Sequence, residues 1–178
     1  LILGGGKTKD KLELIENLIN KADTIILCPA LIFTYLWAQD YKICKSQVDL
    51  DLVDYCKKLL KLAKQNNMKI ITPVDFLVSD SSKLDNLKYK NLDQLTIDNY
   101  GISAGPESLK IFKKEIENSR SIFFNCAMGF FENPKTLESL KELLKIVSQN
   151  DQALKVVGGG ESVAAVELFS IKNKFICL

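Results

Sequence analysis

Apolar residues along the chain fall into short runs that alternate with longer stretches in which they recur every three or four positions. The short runs predict buried strands, and the longer stretches predict amphipathic helices. The six predicted strands are 1–3, 24–27, 69–72, 121–124, 155–157 and 174–178. The predicted helices run from Lys7 to Ala22 and over 28–38, 51–66, 105–118, 134–150 and 162–169.

This alternation indicates one α/β domain over residues 1–178. We expect a three-layer α/β/α sandwich with a doubly wound, Rossmann-like parallel sheet of about six strands. Pro29 is expected at the first position of its helix, where its missing N–H costs nothing. Residues 41–46 are expected to form a loop. Residues 76–99 are polar and discontinuous, and are expected to be irregular or a small antiparallel excursion.

Two glycine-rich turns follow predicted strands directly. They are Gly4-Gly5-Gly6, followed by Lys7, and Gly158-Gly159-Gly160, followed by Glu161 and Ser162. A strand, a glycine turn and a helix N-terminus together present backbone N–H groups to an anion. A carboxylate beside a phosphate can also hold Mg²⁺. Each turn alone is equally compatible with an ordinary tight connection, whereas the pair favours a nucleotide–magnesium site.

Lys7 and Lys11 lie four residues apart, so both can lie on one side of the first helical turns. Two lysines at a helix N-terminus oppose the helix dipole, which favours acids there. A bound polyphosphate would supply the negative charge that the dipole favours. Without the neighbouring glycines, these lysines would be interpreted as solvated surface residues.

The amino-acid composition excludes several binding partners and catalytic mechanisms. A net charge of +2 gives no reason to expect nucleic-acid or membrane binding, and no apolar run is long enough to span a bilayer. The chain has no histidine, which excludes Ser-His and Cys-His mechanisms. Five cysteines without a C-x-x-C pair argue against a disulfide framework or a zinc site and favour a reducing, cytoplasmic compartment. Because the chain begins without Met inside a predicted strand, we expect a fragment of a longer protein.

Six ordered motifs resemble the C-terminal, nucleotide-binding half of the phosphoglycerate kinase family. They are LILGGGKTKDK, IFTYL, ITPVDFLVSD, GPESL, NCAMGFFE and VVGGGES, and they cover essentially the whole chain. The resemblance implies a glycolytic enzyme that transfers a phosphoryl group between ATP and the carboxylate of 3-phosphoglycerate. It also implies ATP or ADP with Mg²⁺ in this half, 3-phosphoglycerate on an N-terminal domain absent here, and a monomer.

The same resemblance implies residue roles. Lys7 resembles the lysine that stabilises the phosphoryl group in transfer, and Glu161 corresponds to the acid that binds magnesium. The implied catalytic residues are Lys7, Gly159 and Gly160. The implied nucleotide-binding residues are Gly5, Gly6, Lys7, Lys11, Ile102, Asn125, Glu132, Gly158, Gly159, Gly160, Glu161 and Ser162. Among them, Lys11 and Asn125 correspond to residues at the phosphates, Glu132 to a ribose ligand, and Ile102 to an adenine-pocket position.

Three positions depart from the family pattern. Cys28-Pro29-Ala30 replaces a glycine run on which the adenine ring lies, Asn125-Cys126-Ala127 replaces Asn-Gly-Pro, and Glu161 replaces an aspartate. The chain also ends before the family's Thr/Gly-rich closing loop, so alone it is not expected to run the full reaction. Two hypotheses stay open: the nucleotide half of a working kinase, or a degenerate relative retained as a structural or protein-interaction module. A nucleotide-binding domain of another class explains none of the other motifs.

Overall fold

The computed structural model describes residues 1–41, 43–44 and 48–178. The strands are β1 (Ile2–Gly5), β2 (Thr24–Ala30), β3 (Lys69–Ile71), β4 (Asp75–Ser79), β5 (Leu87–Asn91), β6 (Tyr100–Ala104), β7 (Ser121–Asn125), β8 (Leu154–Val157) and β9 (Ile176–Cys177). The helices are α1 (Thr8–Leu18), α2 (Leu31–Ala38), α3 (Val53–Gln65), α4 (Pro106–Glu117), α5 (Glu138–Gln149) and α6 (Gly160–Leu168).

The main sheet has six strands in the order β3-β2-β1-β7-β8-β9, and every neighbouring pair is parallel. Strand order reverses between β1 and β7, so the connections wind outward in both directions from the middle of the sheet. The predicted α/β fold, with a parallel sheet of six strands and helices on both faces, is confirmed.

Hydrophobic clusters cover the two faces of this sheet. Ile2 packs with residues of α4, α5 and α6, whereas Leu3 packs with residues of α1, α2 and α3. Successive side chains of a strand point to opposite faces, so β1 contributes to both clusters. This packing fixes β1 in the middle of the domain, with its carboxyl end at the point where strand order reverses.

A smaller antiparallel sheet, in the order β5-β4-β6, packs beside β2. Residues 76–99 contribute most of β4 and all of β5. Strand β6 follows them and was not predicted, because its sequence YGISA is short and contains a glycine, although apolar residues alternate along it. A Cβ on Gly101 would lie 2.1 Å from Cζ of Phe33, so a neighbouring ring fills the space of the missing side chain.

Asp75, at the start of β4, joins this smaller sheet to α4. Its buried carboxylate accepts hydrogen bonds from the backbone N–H groups of Glu107, at 3.1 Å, and Ser108, at 2.8 Å. The Ser108 hydroxyl in turn accepts from the backbone N–H of Val74 at 2.9 Å. The first turn of α4 therefore receives its carboxylate from a neighbouring strand.

The prediction that a helix begins at Cys28-Pro29 is wrong, because residues Thr24–Ala30 form β2 and α2 begins at Leu31. Residues 25–29 are all buried, and Ala30 still pairs with Gly5 of β1, so the strand extends through Pro29.

The remaining differences concern element ends. Residues 50–52, 134–136 and 172–174 form 3₁₀ turns, which shorten the predicted helices at 51 and 134 and the predicted strand at 174. Residues 42, 45 and 46 of the predicted 41–46 loop lie outside the described residues. Over the part of the chain that the structure describes, no helix is long and apolar enough to cross a bilayer.

Candidate functional site

Three turns lie side by side at the carboxyl edge of the main sheet. They lie at the ends of β1, β7 and β8 and span residues 4–6, 126–129 and 158–160; the first includes the last two residues of β1, and the third includes the first residue of α6. These three strands are neighbours, and the register places Asn125, the last residue of β7, opposite Leu3. Helix α1 begins at Thr8, one residue beyond the first turn, and α6 begins at Gly160, the last residue of the third turn. Two helix N-termini therefore meet where ligands bind in doubly wound sheets.

The middle turn contacts both glycine turns. Gly5 has a φ of +85°, and a Cβ there would lie 2.7 Å from the carbonyl oxygen of Ala127, so the position requires glycine. On the other side, the Ser162 hydroxyl donates to the carbonyl of Cys126 at 3.3 Å. Gly5 and Ser162, both predicted site residues, are therefore linked through residues 126–127.

Lys11 reaches from α1 to the end of β7. Its ammonium group donates a hydrogen bond to the side-chain oxygen of Asn125. A Cβ on Gly159 would lie 3.3 Å from both Nδ2 and Oδ1 of the same amide. Gly159 itself has a φ of +88° and precedes the first residue of α6. The structure thus brings together three predicted residues that lie far apart in the sequence.

The electrostatic environment of Lys11 includes both charged residues of the glycine turns. Burial lowers the pKa of Lys11, and this is the largest effect. The thiol of Cys126, Glu161 and Asp10 act in the opposite direction and raise its pKa, whereas Lys7 lowers it. Glu161 and Lys7 are therefore close enough to Lys11 to influence its protonation. A bound anion at this edge would favour the charged form of Lys11.

The backbone N–H groups at the starts of α1 and α6 are accessible at this edge. Lys7 and Gly159, which precede α1 and α6, make no side-chain cap hydrogen bond. Unlike α4, which receives the Asp75 carboxylate, neither helix has a side-chain acceptor from elsewhere in the described residues at its first backbone N–H groups. The flanking residues Gly6, Lys7, Gly160 and Glu161 are exposed. A Cβ built on Gly6 or Gly160 would meet no atom within 4 Å. The carboxyl edge therefore offers accessible N–H groups with lysines beside them.

The remaining predicted residues lie around this contact group. Gly158 is buried, and its N–H bonds the carbonyl of Phe124 at 3.0 Å. Ile102, on β6, is 3% exposed, and its carbonyl accepts from the N–H of Gly129 at 3.1 Å. Glu132 is exposed in the turn that follows. Ile102 is therefore connected to the middle turn by its backbone, while little of its side chain is accessible.

A groove of about 660 Å³ lies at the opposite, amino edge of the sheet. Its lining includes Lys21, Asp23, Glu115 and Arg120, so charges of both signs are interleaved. Helices α1 and α4 end there. Helix C-termini carry partial negative charge, which disfavours anions. Concavity alone therefore does not locate an anion site in this fold.

A model of the phosphoglycerate kinase family matches residues 1–177. The chain belongs to the phosphoglycerate kinase family. The phosphoglycerate kinase of Finegoldia magna is 37% identical over 178 residues, covering 97% of this chain and 44% of its own length. That of Dictyoglomus turgidum is 33% identical over 175 residues, covering 98% of this chain and 44% of its own. The chain thus spans less than half the length of these phosphoglycerate kinases.

Solved structures agree with this family assignment. The phosphoglycerate kinase of Coxiella burnetii superposes with a TM-score of 0.92 at 28% identity, covering 99% of this chain and 46% of that one. The phosphoglycerate kinase of Pyrococcus horikoshii superposes with a TM-score of 0.82 at 24% identity, which supports the fold alone. The match to about half of each longer chain is as expected for one half of a phosphoglycerate kinase.

Sequence reasoning missed a row formed by Cys28 of β2, Gly4 of β1 and Cys126, the residue directly after β7. A Cβ on Gly4 would lie 2.6 Å from Cβ of Cys28 and 2.7 Å from Sγ of Cys126. Both thiols are fully buried. The hydrogen bond with Cys126, together with burial, raises the pKa of Cys28, so this thiol is unreactive. The available signal was that both cysteines replace glycines of the phosphoglycerate kinase pattern.

Proposed function

We propose that the chain is the nucleotide-binding half of a working phosphoglycerate kinase. The observation that carries the proposal is the meeting of Lys11, Asn125 and Gly159 beside the uncapped start of α6. The proposed reaction converts ATP and 3-phosphoglycerate to ADP and 1,3-bisphosphoglycerate. An N-terminal domain of the full-length protein would hold 3-phosphoglycerate, and the twofold greater length of the relatives supports this division.

The proposed chemistry needs charge and positioning rather than a proton-transfer group. Lys7 stabilises the phosphoryl group during transfer, and the N–H groups at Gly159 and Gly160 contact its oxygens. Lys11 and the first turn of α6 hold the remaining phosphates. Phosphoryl transfer depends mainly on such positioning and neutralisation. The attacking carboxylate is already ionised at neutral pH, so a chain without histidine lacks nothing for this step.

The nucleoside would extend from the phosphates toward the middle turn. We assign Glu132, which is exposed, to the ribose hydroxyls and Ile102 to the adenine end. The exposed backbone at Gly6, next to the buried Gly5, lies on the β1 side of the same space. Because Ile102 is 3% exposed, little of its side chain is available to a base.

Glu161 is the residue proposed to hold Mg²⁺, which when bound would offset the negative charge of the phosphates. No group of three or more His, Cys, Asp or Glu side chains suited to a metal occurs within the described ranges. Mg²⁺ usually binds one or two carboxylates together with substrate phosphates rather than a cage of protein ligands. An exposed carboxylate in the first turn of α6, close enough to act on Lys11, fits this pattern.

Location and assembly complete the proposal. We assign the protein to the cytoplasm and expect a monomer. The free thiols of Cys28, Cys44, Cys56, Cys126 and Cys177 support a reducing compartment.

Calorimetric titration with Mg-ADP tests the nucleotide half of this proposal. We expect a dissociation constant in the micromolar to millimolar range that is typical of substrates. Lys11→Ala should weaken binding at least about tenfold, because one charge-assisted contact is lost. Lys57→Ala, on the exposed face of α3, is the matched control and should leave affinity unchanged. Absence of heat up to several millimolar nucleotide would favour the degenerate relative instead.

A further inference from the structure

A single buried hydroxyl organises residues 130–136, which lead from the middle turn toward α5. Thr136 is fully buried, and its Oγ1 accepts a hydrogen bond from the backbone N–H of Phe130 at 2.8 Å. The same hydroxyl donates toward two backbone carbonyl oxygens, that of Asn133 at 2.7 Å and that of Phe130 at 3.1 Å. It therefore holds both ends of the four-residue turn 130–133.

Backbone contacts close the same turn. The N–H of Asn133 donates to the carbonyl of Phe130 at 2.9 Å, as in a hydrogen-bonded β-turn. The N–H of Thr136 donates to the carbonyl of Asn133, also at 2.9 Å. Gly129, directly before the turn, has a φ of +85°, and a Cβ there would lie 2.3 Å from the carbonyl oxygen of Thr136. The turn and Thr136 therefore form one closely packed unit.

This unit is attached to the rest of the domain at both ends. At one end, the N–H of Gly129 donates to the carbonyl of Ile102 on β6 at 3.1 Å. At the other end, Leu137 follows Thr136 and packs into the apolar cluster that contains α4, α5 and α6. Because these contacts exist before any ligand arrives, holding the turn in place costs little at binding.

The turn presents a free carboxylate. Its two central residues, Phe131 and Glu132, are exposed. Within the described residues, the Glu132 carboxylate makes no hydrogen bond or ion pair. A carboxylate accepts hydrogen bonds and repels phosphate, so beside a nucleoside diphosphate it suits the sugar hydroxyls. Hydrogen bonds weaken steeply when their geometry is poor, so the contribution of Glu132 depends on where the turn holds it.

We propose that Thr136 is a positioning residue: its hydroxyl fixes the 130–133 turn and so directs Glu132 at the two ribose hydroxyls of a bound nucleoside diphosphate. This inference rests on the proposed function, because it adds a residue to the same site. Thr136 itself is fully buried and acts through Glu132. Loss of the Thr136 hydroxyl should lower the affinity for ligands that carry ribose hydroxyls and leave the affinity for other ligands unchanged.

The first test uses the ligand-free protein. Thr136→Val keeps the shape of the side chain and removes the hydroxyl, whereas Thr136→Ser keeps the hydroxyl. In Thr136→Val we expect hydrogen exchange of the Phe130 amide to accelerate about tenfold, because that N–H loses its acceptor. Ser148→Ala is the control, since it removes a buried hydroxyl that donates to the Lys145 carbonyl near the far end of α5. Unchanged exchange of the Phe130 amide in Thr136→Val overturns the inference.

The second test compares Mg-ADP with Mg-2′,3′-dideoxy-ADP, which lacks both ribose hydroxyls, by calorimetry. We expect the unaltered chain to bind Mg-ADP about tenfold more tightly, and this ratio to fall to about twofold in Thr136→Val. Thr136→Ser should restore the ratio, and Ser148→Ala should keep it. In Glu132→Ala the ratio should be lost, and adding Thr136→Val should not change it further. Mg-pyrophosphate, which lacks the nucleoside, should bind Thr136→Val as tightly as the unaltered chain.

The two proposals fail in different ways. If the unaltered chain binds neither Mg-ADP nor Mg-pyrophosphate, the proposed function fails, and the inference fails with it. If the chain binds both, the positioning role alone fails when Thr136→Val or Glu132→Ala keeps the full preference for Mg-ADP, or when the unaltered chain has no such preference. Urea unfolding of each variant separates a local change from lost folding. If Thr136→Val does not fold, Thr136→Cys, whose thiol is a weaker acceptor, replaces it in both tests.

Discussion

Helices α4 and α6 both start after a glycine that follows a strand of a sheet, but the backbone N–H groups of their first turns differ in their acceptors. At α4, the carboxylate of Asp75 accepts two backbone N–H groups, and a Cβ on Gly105 would lie 2.2 Å from its Oδ2. At α6, Gly159 provides no cap, Gly160 is exposed, and a Cβ on Gly160 would meet nothing within 4 Å.

The difference teaches that a glycine before a helix does not by itself indicate an anion site. The free N–H groups of a first turn always need acceptors. Where a neighbouring strand supplies a buried carboxylate, as Asp75 does, the need is met within the protein. Where the strand end brings a lysine and an amide instead, as Lys11 and Asn125 do, the acceptor must come from outside. The identity of the neighbouring side chain decides between these outcomes.

The largest expected effect concerns α1, whose start is also uncapped. In the proposed full-length kinase, Lys7→Ala should lower turnover by about a thousandfold, because it removes a charge that stabilises the transition state. Nucleotide affinity should change less, since Lys11 and α6 still hold the phosphates. Steady-state kinetics and calorimetry measure the two quantities, with Lys57→Ala as control. Normal turnover in Lys7→Ala would show that the lysine is misassigned.

The next effect is on stability and tests the capped helix. Asp75→Ala should lower the free energy of unfolding by about 2–4 kcal/mol, because it leaves buried N–H and hydroxyl groups of α4 without their acceptor. Glu161→Ala, in the exposed first turn of α6, should change it by less than about 0.5 kcal/mol. Urea unfolding at neutral pH measures both. Equal losses of unfolding free energy in Asp75→Ala and Glu161→Ala would mean that the protein does not satisfy the N–H groups of α4 any better than those of α6.

A substitution can also convert one kind of helix start into the other. Gly160→Asp places a carboxylate in the first turn of α6, where nothing obstructs the new side chain. We expect pyrophosphate affinity to fall about tenfold, because the new charge competes with the anion, while stability rises by about 0.5 kcal/mol. Gly160→Ala is the matched control and should retain binding. Undiminished affinity in Gly160→Asp would place the anion away from this helix.

The smallest effect is the pH dependence of anion binding. Burial lowers the pKa of Lys11 from 10.5, so pyrophosphate affinity should begin to decline at a lower pH than for an ordinary lysine. Lys11→Arg should keep its affinity to higher pH. The stability of the ligand-free protein should change with pH in the opposite direction to the anion affinity. Between the lowered pKa and 10.5 the unfolded chain binds more protons, so stability rises with pH. Calorimetry across this pH range measures the pyrophosphate affinity, and urea unfolding measures the free energy of unfolding.

Most of the fold could be predicted from hydrophobic periodicity, whereas details that depend on tertiary contacts could not. Strands with continuous apolar runs, such as residues 121–124, stand out without further information. β6 does not, because Phe33 rather than a local side chain fills the space at Gly101. Proline favours the first position of a helix, which predicts a helix start at Pro29, yet the pairing of β2 with β1 keeps Pro29 in a strand.

In the candidate site, too, local patterns could be predicted from the sequence and tertiary contacts could not. The glycine turns and the lysines are visible as local patterns, and resemblance to a family supplied Asn125. Their contact depends on the order of strands in the sheet, since Lys11 and Asn125 are 114 residues apart in sequence. The role of Asp75 was missed for a similar reason, because its partners lie 32 and 33 residues later, on a helix that the pattern alone treats as independent.

The row of Cys28, Gly4 and Cys126 closes position 4 to every larger residue. A Cβ there would collide with Cβ of Cys28 and Sγ of Cys126, and also with the backbone carbonyl oxygen of Pro29 at 2.9 Å. Because the Pro29 carbonyl belongs to the backbone of β2, replacing both cysteines by glycine would still leave position 4 obstructed. The close approach of β1 and β2 at this point is therefore a property of the backbone, which the choice of residue at positions 28 and 126 does not remove.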